Sequence, residues 1–382
     1  MVKENLVTGD DGSVTVTNLH LGTYRVTEIQ APENFYNAGE SKTVTISYAG
    51  QTAEAAFAET TFQNDRQKAE VSVVKQDKET TNPLPGGIFG LYADEDILNA
   101  DGAVVVKKDT LIEKVTTNGE GKAAFTSDLP IGFGYYVKEV QAPENYLRNL
   151  EDKYSFRFSY TNDEEAKVQF AHTFSNERVN AAIVLQKKDA ETNTNVPQGD
   201  ASLEQAVYGV YARKDIVHPD GKTGVIYKAG EQVGTLTTDK EGKARIENLY
   251  LGEYFVKEIT PPVGYLADEN EYDLVCSYEG DLVATVERDC TSPEQVKKQP
   301  FQIIKAANNG NTDAALLEGA GFTAYLVSSL TVKEDGTYDF DSATPVVLGE
   351  NGATEIFTDK KGYAVSIPLP YGTYVVRETT TP

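Results

Sequence analysis

Four glutamates close a repeated run, Tyr-x-Val-x-Glu, and a second set of lysines ends a different repeated strand. The glutamate segments read GTYRVTEIQAP (22–32), FGYYVKEVQAP (133–143), GEYFVKEITPP (252–262) and GTYVVRETTTP (372–382), which sets Glu28, Glu139, Glu258 and Glu378 at intervals of 111, 119 and 120 residues. In a β-strand, residues two apart share a face, so Tyr, Val and Glu point the same way in every copy. A carboxyl on an otherwise apolar, buried face costs several kcal/mol unless it is neutralised or paired. A chain that keeps it in each copy has a use for it. The lysine strands read VSVVKQD (71–77), IVLQKKD (183–189) and FQIIKAA (301–307). Parity puts Lys75 with Val71 and Val73, Lys187 with Ile183 and Leu185, and Lys305 with Phe301 and Ile303. A buried amine therefore joins a buried carboxyl in the same repeat.

A period of 110 to 120 residues is a whole domain rather than a solenoid unit. Upstream of each glutamate lies a hairpin signal: TGDDGSVTVTNLHLG (8–22), TTNGEGKAAFTSDLPIG (116–132), TTDKEGKARIENLYLG (237–252) and TDKKGYAVSIPLPYG (358–372). An Asp/Asn/Lys-Gly turn between alternating runs reads as strand, turn, strand. An aromatic (Phe35, Tyr146, Tyr265) then leads to another alternating strand: KTVTISY, YSFRFSY, YDLVCSY. The lysine strands are followed by a glycine turn into a second strand at PLPGGIFGLYA (83–93) and LEGAGFTAYLV (317–327), with a looser version, AVYGVYA, at 206–212. Repeats close with strands ending in asparagine, ETTFQN to Asn64 and HTFSN to Asn176. Short polar connections, NDRQKAE and NERVNAA, imply consecutive domains joined stiffly end to end. These signals divide the chain into 1–67, a domain lacking its opening strands; 68–179 and 180–297, two complete domains; and 298–382, a domain lacking its closing strands. On this reading the chain is a piece of something longer.

The combined order resembles tandem Cna B-type (SpaA-like, prealbumin-like) domains of Gram-positive surface adhesins and pili. The resemblance is carried by V-x-V-x-K-x-D, L-x-G-a-x-F-x-L-Y, T-x-x-x-G-K, L-x-G-x-Y-x-V-x-E-x-x-A-P-x-x-Y and the closing T-F-x-N, and it spans essentially the whole chain. It implies an all-β fold of tandem Ig-like, prealbumin-like sandwiches of about seven strands each, arranged as an end-to-end rod. It also implies an autocatalytic amide between lysine and asparagine side chains. An apolar setting disfavours charge, so the lysine becomes a nucleophilic amine and the glutamate a neutral acid that polarises the asparagine and shuttles protons. Only the second repeat holds the full set, Lys75, Glu139 and Asn176. The first keeps Glu28 and Asn64 without a lysine, and the fourth keeps Lys305 and Glu378 without an asparagine. In the third, Lys187 and Glu258 match, but the asparagine position falls on Glu294, eleven residues before Lys305; Asp289 could serve only with a gap in the alignment. That repeat is therefore expected to lack the bond and to hold Lys187, Glu258 and Glu294 as a buried charge cluster. Cys276 and Cys290 lie in the same closing region, either as a disulfide or as two packed thiols.

Composition excludes several alternatives. With 35 Lys+Arg against 59 Asp+Glu the net charge is −24, which disfavours nucleic acid and anionic lipid as partners. Twenty-two tyrosines, 31 glycines and no tryptophan favour strands and turns. No apolar run reaches 18 residues, so no helical span is expected. His20, His172 and His218 fall in separate repeats without ligand spacing and are expected on the surface or in strands. The acidic run KEDGTYDFD (333–341) lacks the EF-hand pattern and reads as a hairpin turn. No cofactor, metal or catalytic turnover is expected. The function implied is a covalently locked stalk or shaft segment of a cell-wall adhesin or pilus-like protein, held beside neighbouring repeats of a longer chain. The alternative is a ligand-binding adhesin region that recognises a host extracellular-matrix protein or glycan through the divergent stretch 200–230.

Overall fold

The computed structural model describes residue 3, residues 5–308 and residues 315–382. Among them the regular structure is β, apart from two 3₁₀ turns at Val327–Ser329 and Glu350–Gly352. The chain divides into two compact units. One takes the chain up to Gln76 with Pro83–Ala142 and Arg148–Asn176; the other takes Asp77–Asn82, Pro143–Leu147 and Glu177–Pro382.

In the second repeat one sheet has the order Lys153–Phe158, Phe133–Gln141, Ile88–Ala93, Leu111–Thr116, and the other Lys167–Asn176, Lys68–Asp77, Lys122–Ala124. Seven principal strands thus form a two-layer sandwich. Alternation decides what each strand buries. Along the lysine strand Val71, Val73 and Lys75 are buried, and along the glutamate strand Tyr135, Val137 and Glu139 are buried. The slipped glycine in FGYYVKEV leaves this parity intact. Phe89, Phe158 and Phe174 fill the space between the layers.

The third repeat repeats the plan. One sheet runs Gln232–Thr237, Val207–Ala212, Gly252–Thr260, Glu271–Cys276; the other runs Lys243–Leu249, Asn180–Asp189, Thr285–Glu294. The first strand, Asn180–Asp189, pairs parallel with the last, Thr285–Glu294, from Asn180↔Thr285 to Asp189↔Glu294. Ile183, Leu185 and Lys187 are buried, as are Tyr254, Val256 and Glu258.

Two expectations fail in the partial repeats. ETTFQN (59–64) forms no strand, because no lysine strand lies beside it to pair with among the described residues. The glutamate faces there are not buried: Val26 is 36% exposed and Val376 40%. In the first repeat, among the described residues, Gly22–Thr27 pairs only with Ser41–Ile46; in the fourth, Tyr374–Thr380 is an edge of a three-stranded sheet. The acidic run at 333–341 is a hairpin turn, with Thr331–Val332 paired to Tyr338–Asp339.

The T-x-x-x-G-K turn positions the lysine directly. Gly121 accepts a hydrogen bond from Lys75 N at 2.7 Å, Gly242 from Lys187 N at 2.8 Å and Gly362 from Lys305 N at 2.8 Å. Gly121 has φ +69°, and a Cβ there would stand 2.3 Å from the Lys75 carbonyl oxygen. Gly121→Ala therefore combines left-handed strain with a clash against backbone, and should lower stability by roughly 2–4 kcal/mol. Gly119→Ala, with nothing within 4 Å and an ordinary φ, should change it by no more than about 0.5 kcal/mol. Urea unfolding of both variants checks this; equal effects would exclude the packing role of Gly121.

Candidate functional site

In the second repeat three strands bring Lys75, Glu139 and Asn176 together. All are buried, at 0%, 5% and 1% exposure. Lys75 Nζ donates to Asn176 Oδ1 and lies 3.0 Å from Glu139 Oε1. Asn176 Nδ2 donates to both Glu139 oxygens, at 3.0 and 2.8 Å. The amine also sits 5.8 Å from the Phe89 ring centre. Burial lowers the Lys75 pKa, and the Glu139 charge opposes that fall without cancelling it. The amine faces the amide carbonyl, and the carboxyl touches both the amine and the amide nitrogen.

The third repeat builds a different set at the same place. Lys187 is fully buried; its Nζ contacts Glu294 Oε1, lies 3.3 Å from Glu258 Oε1 and donates to Tyr208 Oη at 3.1 Å. Tyr208 occupies the place that Phe89 holds in the second repeat, each pairing with its repeat's glutamate. Its hydroxyl reaches Ser292 Oγ at 2.9 Å and Glu294 Oε1 at 2.8 Å. Glu258 Oε2 accepts from Asp268 N at 2.8 Å, and Ser292 donates to Asp268 at 3.2 Å. Burial pulls the Lys187 pKa down to about 8, against the raising effect of Glu258. Asp289 is on the exposed face of its strand while Glu294 is buried, so alternation removes Asp289 from the site.

The partial repeats keep their contacts without the burial. Asn64 Nδ2 donates to Glu28 Oε1 at 2.7 Å. Lys305 Nζ meets both oxygens of Glu378 at 2.7 Å, but their side chains are 26% and 32% exposed. An ion pair that open contributes about 0–1 kcal/mol.

The sequence reading missed several residues. The aspartate of V-x-V-x-K-x-D ties the site's strand to the P-x-x-Y tyrosine: Asp77 accepts from Tyr146 Oη at 2.7 Å and Asp189 from Tyr265 Oη at 2.9 Å. The other oxygen of each caps the next turn, through Glu79 and Thr80 N and through Glu191 and Thr192 N. The recurrence of K-x-D and P-x-x-Y was the available signal. His218 is also not a surface residue. It is 3% exposed and lies with Asp77 and Asp220, a trio close enough to hold a metal ion. Burial would raise the Asp220 pKa, but bonds from Asn82, Thr223 and Lys222 overcome it and hold the carboxyl well below its usual range. Protein donors occupy both of its oxygens. His20 is exposed, and His172 meets Asp152 at 3.2 Å. Cys276 and Cys290 are buried free thiols in one core, without the bridge weighed from sequence.

Fold and site together define an array of prealbumin-like sandwiches carrying a lysine–glutamate pair in the core of each complete repeat. The chain belongs to the family described as "SpaA: Prealbumin-like fold domain", whose profile matches residues 1–61, 69–173 and 181–289. It is 28% identical over 217 residues to the collagen adhesin of Staphylococcus aureus, a match covering 53% of this chain and 16% of that protein. Among solved structures, the Bacillus anthracis TIE protein is similar in fold, with a TM-score of 0.50 and 18% identity over 94% of this chain and 63% of that one. The chain thus matches less than two thirds of the length of either.

Two outcomes follow from the geometry. Burial raises both thiols, that of Cys290 to about 12, so neither should react with a thiol reagent in the folded chain and both should react in denaturant. Labelling of the native protein at the denatured rate would contradict their burial. Burial raises the Asp189 pKa, but its hydrogen bonds, including that from Tyr265, bring it below the ordinary value. A depressed carboxylate stabilises the fold above its unfolded pKa, near 4, and the contribution is lost as pH falls through the folded value. Tyr265→Phe should therefore cost about 1–3 kcal/mol at pH 7 and less under strong acid, read by chemical denaturation across pH.

Proposed function

We propose that this chain is a structural segment of a Gram-positive surface protein, a stalk or shaft whose second repeat is locked by an amide between Lys75 and Asn176. The observation that carries the reading is the three-way contact: Lys75 Nζ on Asn176 Oδ1, with Glu139 on both Lys75 Nζ and Asn176 Nδ2. One proton moved from Lys75 to Glu139 yields a neutral amine and a carboxylic acid at once. The amine attacks Asn176 Cγ, the new C–N bond forms, and the C–Nδ2 bond breaks. Glu139, already hydrogen-bonded to Nδ2, delivers the proton with which it leaves as ammonia, and takes up in turn the proton that the attacking nitrogen loses as the amide forms. Water competes poorly as a nucleophile in a site with no exposed atom on the lysine. Each domain reacts once, on itself, and turns over no substrate.

Family membership supports a place on the bacterial surface, in the cell wall or a pilus-like assembly, beside further repeats of the same protein. The alternative, recognition of a host matrix protein through residues 200–230, is less well supported. Much of that stretch is engaged by the chain itself: Asp200 accepts from Ser328 and from Thr373 N, while Asp220 accepts from Asn82 and Thr223.

Intact mass of the chain should be short by one ammonia for this repeat, and digestion should release a branched peptide joining the Lys75 and Asn176 segments. Glu139→Gln should leave the circular dichroism unchanged and restore two linear peptides. A folded parent chain with Lys75 and Asn176 in separate unmodified peptides would refute the bond.

A further inference from the structure

Glu294 is an odd residue for a charge cluster. Its Oε1 contacts Lys187 Nζ and accepts from Tyr208 Oη at 2.8 Å, yet its Oε2, equally buried, has no hydrogen-bond partner. A carboxylate presents acceptor sites on both oxygens, and leaving one bare in a core is unfavourable. Charge makes it worse. Lys187 alone faces Glu258 and Glu294, with Asp268 joined through Ser292 and through its own N–H to Glu258. If all three carboxyls are ionised, one cation stands against three anions in a site where Lys187, Glu258 and Glu294 side chains are at most 2% exposed.

We infer that the third repeat also closes covalently, by an amide between Lys187 Nζ and Glu294 Cδ formed with loss of water. This rests on the reading of the second repeat and extends it to a carboxylic acid acceptor. The neutral Lys187 amine adds to Glu294 Cδ, making the C–N bond. The carbon–Oε2 bond breaks, and Oε2 departs as water with the hydroxyl proton of the acid and one proton from the amine. Glu258, at 3.3 Å from Nζ, takes the amine proton and returns it for the departing oxygen. Oε1 becomes the oxyanion and then the amide oxygen, and the Tyr208 hydroxyl is its donor throughout. Lys187 is held beside the acceptor by parallel pairing of the first and last strands, with Asp189 opposite Glu294.

The product removes each difficulty. The unpartnered oxygen is gone, the Lys187 and Glu294 charges are gone, Oε1 keeps Tyr208, and the amide N–H has Glu258 as acceptor. Tyr208 has a reason to replace phenylalanine here: a carboxylic acid gains from a donor on its carbonyl, and the Ser292 hydroxyl, 2.9 Å away, can donate to the Tyr208 oxygen while Tyr208 donates to Glu294.

The test uses the full chain, refolded, digested and read by tandem mass spectrometry. The parent should be short by one water beyond the ammonia lost at Asn176, with a branched peptide joining the Lys187 and Glu294 segments. Glu294→Gln supplies a second check that does not depend on deleting the lysine. Its linked form loses ammonia instead of water, so variant and parent should end at the same mass and give the same branched peptide. Tyr208→Phe should slow linkage at least tenfold on refolding while the Lys75–Asn176 bond forms at its usual rate. Lys187 and Glu294 in separate unmodified peptides of a folded parent would overturn the inference, whatever is found at Lys75. A Lys187–Glu294 branch without a Lys75–Asn176 branch would support it and overturn the second-repeat reading alone.

Discussion

Everything in a complete repeat is arranged around the expense of putting a lysine amine inside a β-sandwich. Lys75 and Lys187 have no exposed surface, and an isolated ammonium there would be several kcal/mol too unfavourable to keep. Four devices meet that demand together. The glycine turn fixes the lysine backbone through Gly121 or Gly242. A glutamate from the opposite sheet sits 3.0 or 3.3 Å from the amine. An aromatic ring lies under it, Phe89 or Tyr208, at 5.8 or 5.6 Å. The last strand brings an acyl group against it. The demand exists only when both sheets close over the set. Glu28 with Asn64 and Lys305 with Glu378 make the same kinds of contact while partly open to water, where an ammonium and a carboxylate are stable as ions.

Topology turns this chemistry into mechanics. In the third repeat the first and last strands are parallel neighbours through all ten residues of the lysine strand, and the site is at their shared far end. Tension applied at the start of one strand and the end of the other shears that ladder, and the hydrogen bonds resist it together. The proposed covalent tie at the far end would carry the load from strand to strand, so residues between the linked positions would feel little of it. The equilibrium benefit is smaller: closing a loop of about 100 residues stabilises by roughly 4–5 kcal/mol in the chain-entropy treatment of cross-links. Resistance to force and proteolysis is the larger effect, since it does not depend on how often the domain opens.

What was legible in the sequence follows from the range of each interaction. Strand parity is local, so Val71, Val73 and Lys75, and Tyr135, Val137 and Glu139, were placed on their buried faces correctly. The repeat order then brought Lys75, Glu139 and Asn176 to one site, and eleven residues of spacing chose Glu294 over Asp289. Contacts between distant segments were not legible. His218 is buried beside Asp77, which is far from it in sequence. ETTFQN carries the composition of a strand, but a strand needs a neighbour, and among the described residues no strand pairs with it. The role of Tyr208 was hidden because a tyrosine in AVYGVYA reads as an ordinary core aromatic; only the position of its hydroxyl beside Glu294 and Ser292 separates it from Phe89.

The two complete sites also differ in the acyl group that one frame sets against the lysine: an amide at Asn176 and a carboxyl at Glu294. In the second repeat the group that the proposed reaction would expel is the amide nitrogen, and Glu139 holds it with both oxygens, at 3.0 and 2.8 Å. On the carbonyl side Phe89 fills the space with ring alone, its centre 4.7 Å from that of Phe174 and the two rings tilted by 43°. In the third repeat that nitrogen is absent, Glu258 turns its second oxygen to Asp268 N, and the polar partner moves to the carbonyl side as Tyr208. The extra methylene of Glu294 over asparagine lets its carboxyl reach across to that hydroxyl. The exchange of Phe for Tyr and of Asn for Glu is thus coupled through one hydrogen bond, from the Tyr208 hydroxyl to Glu294 Oε1 at 2.8 Å.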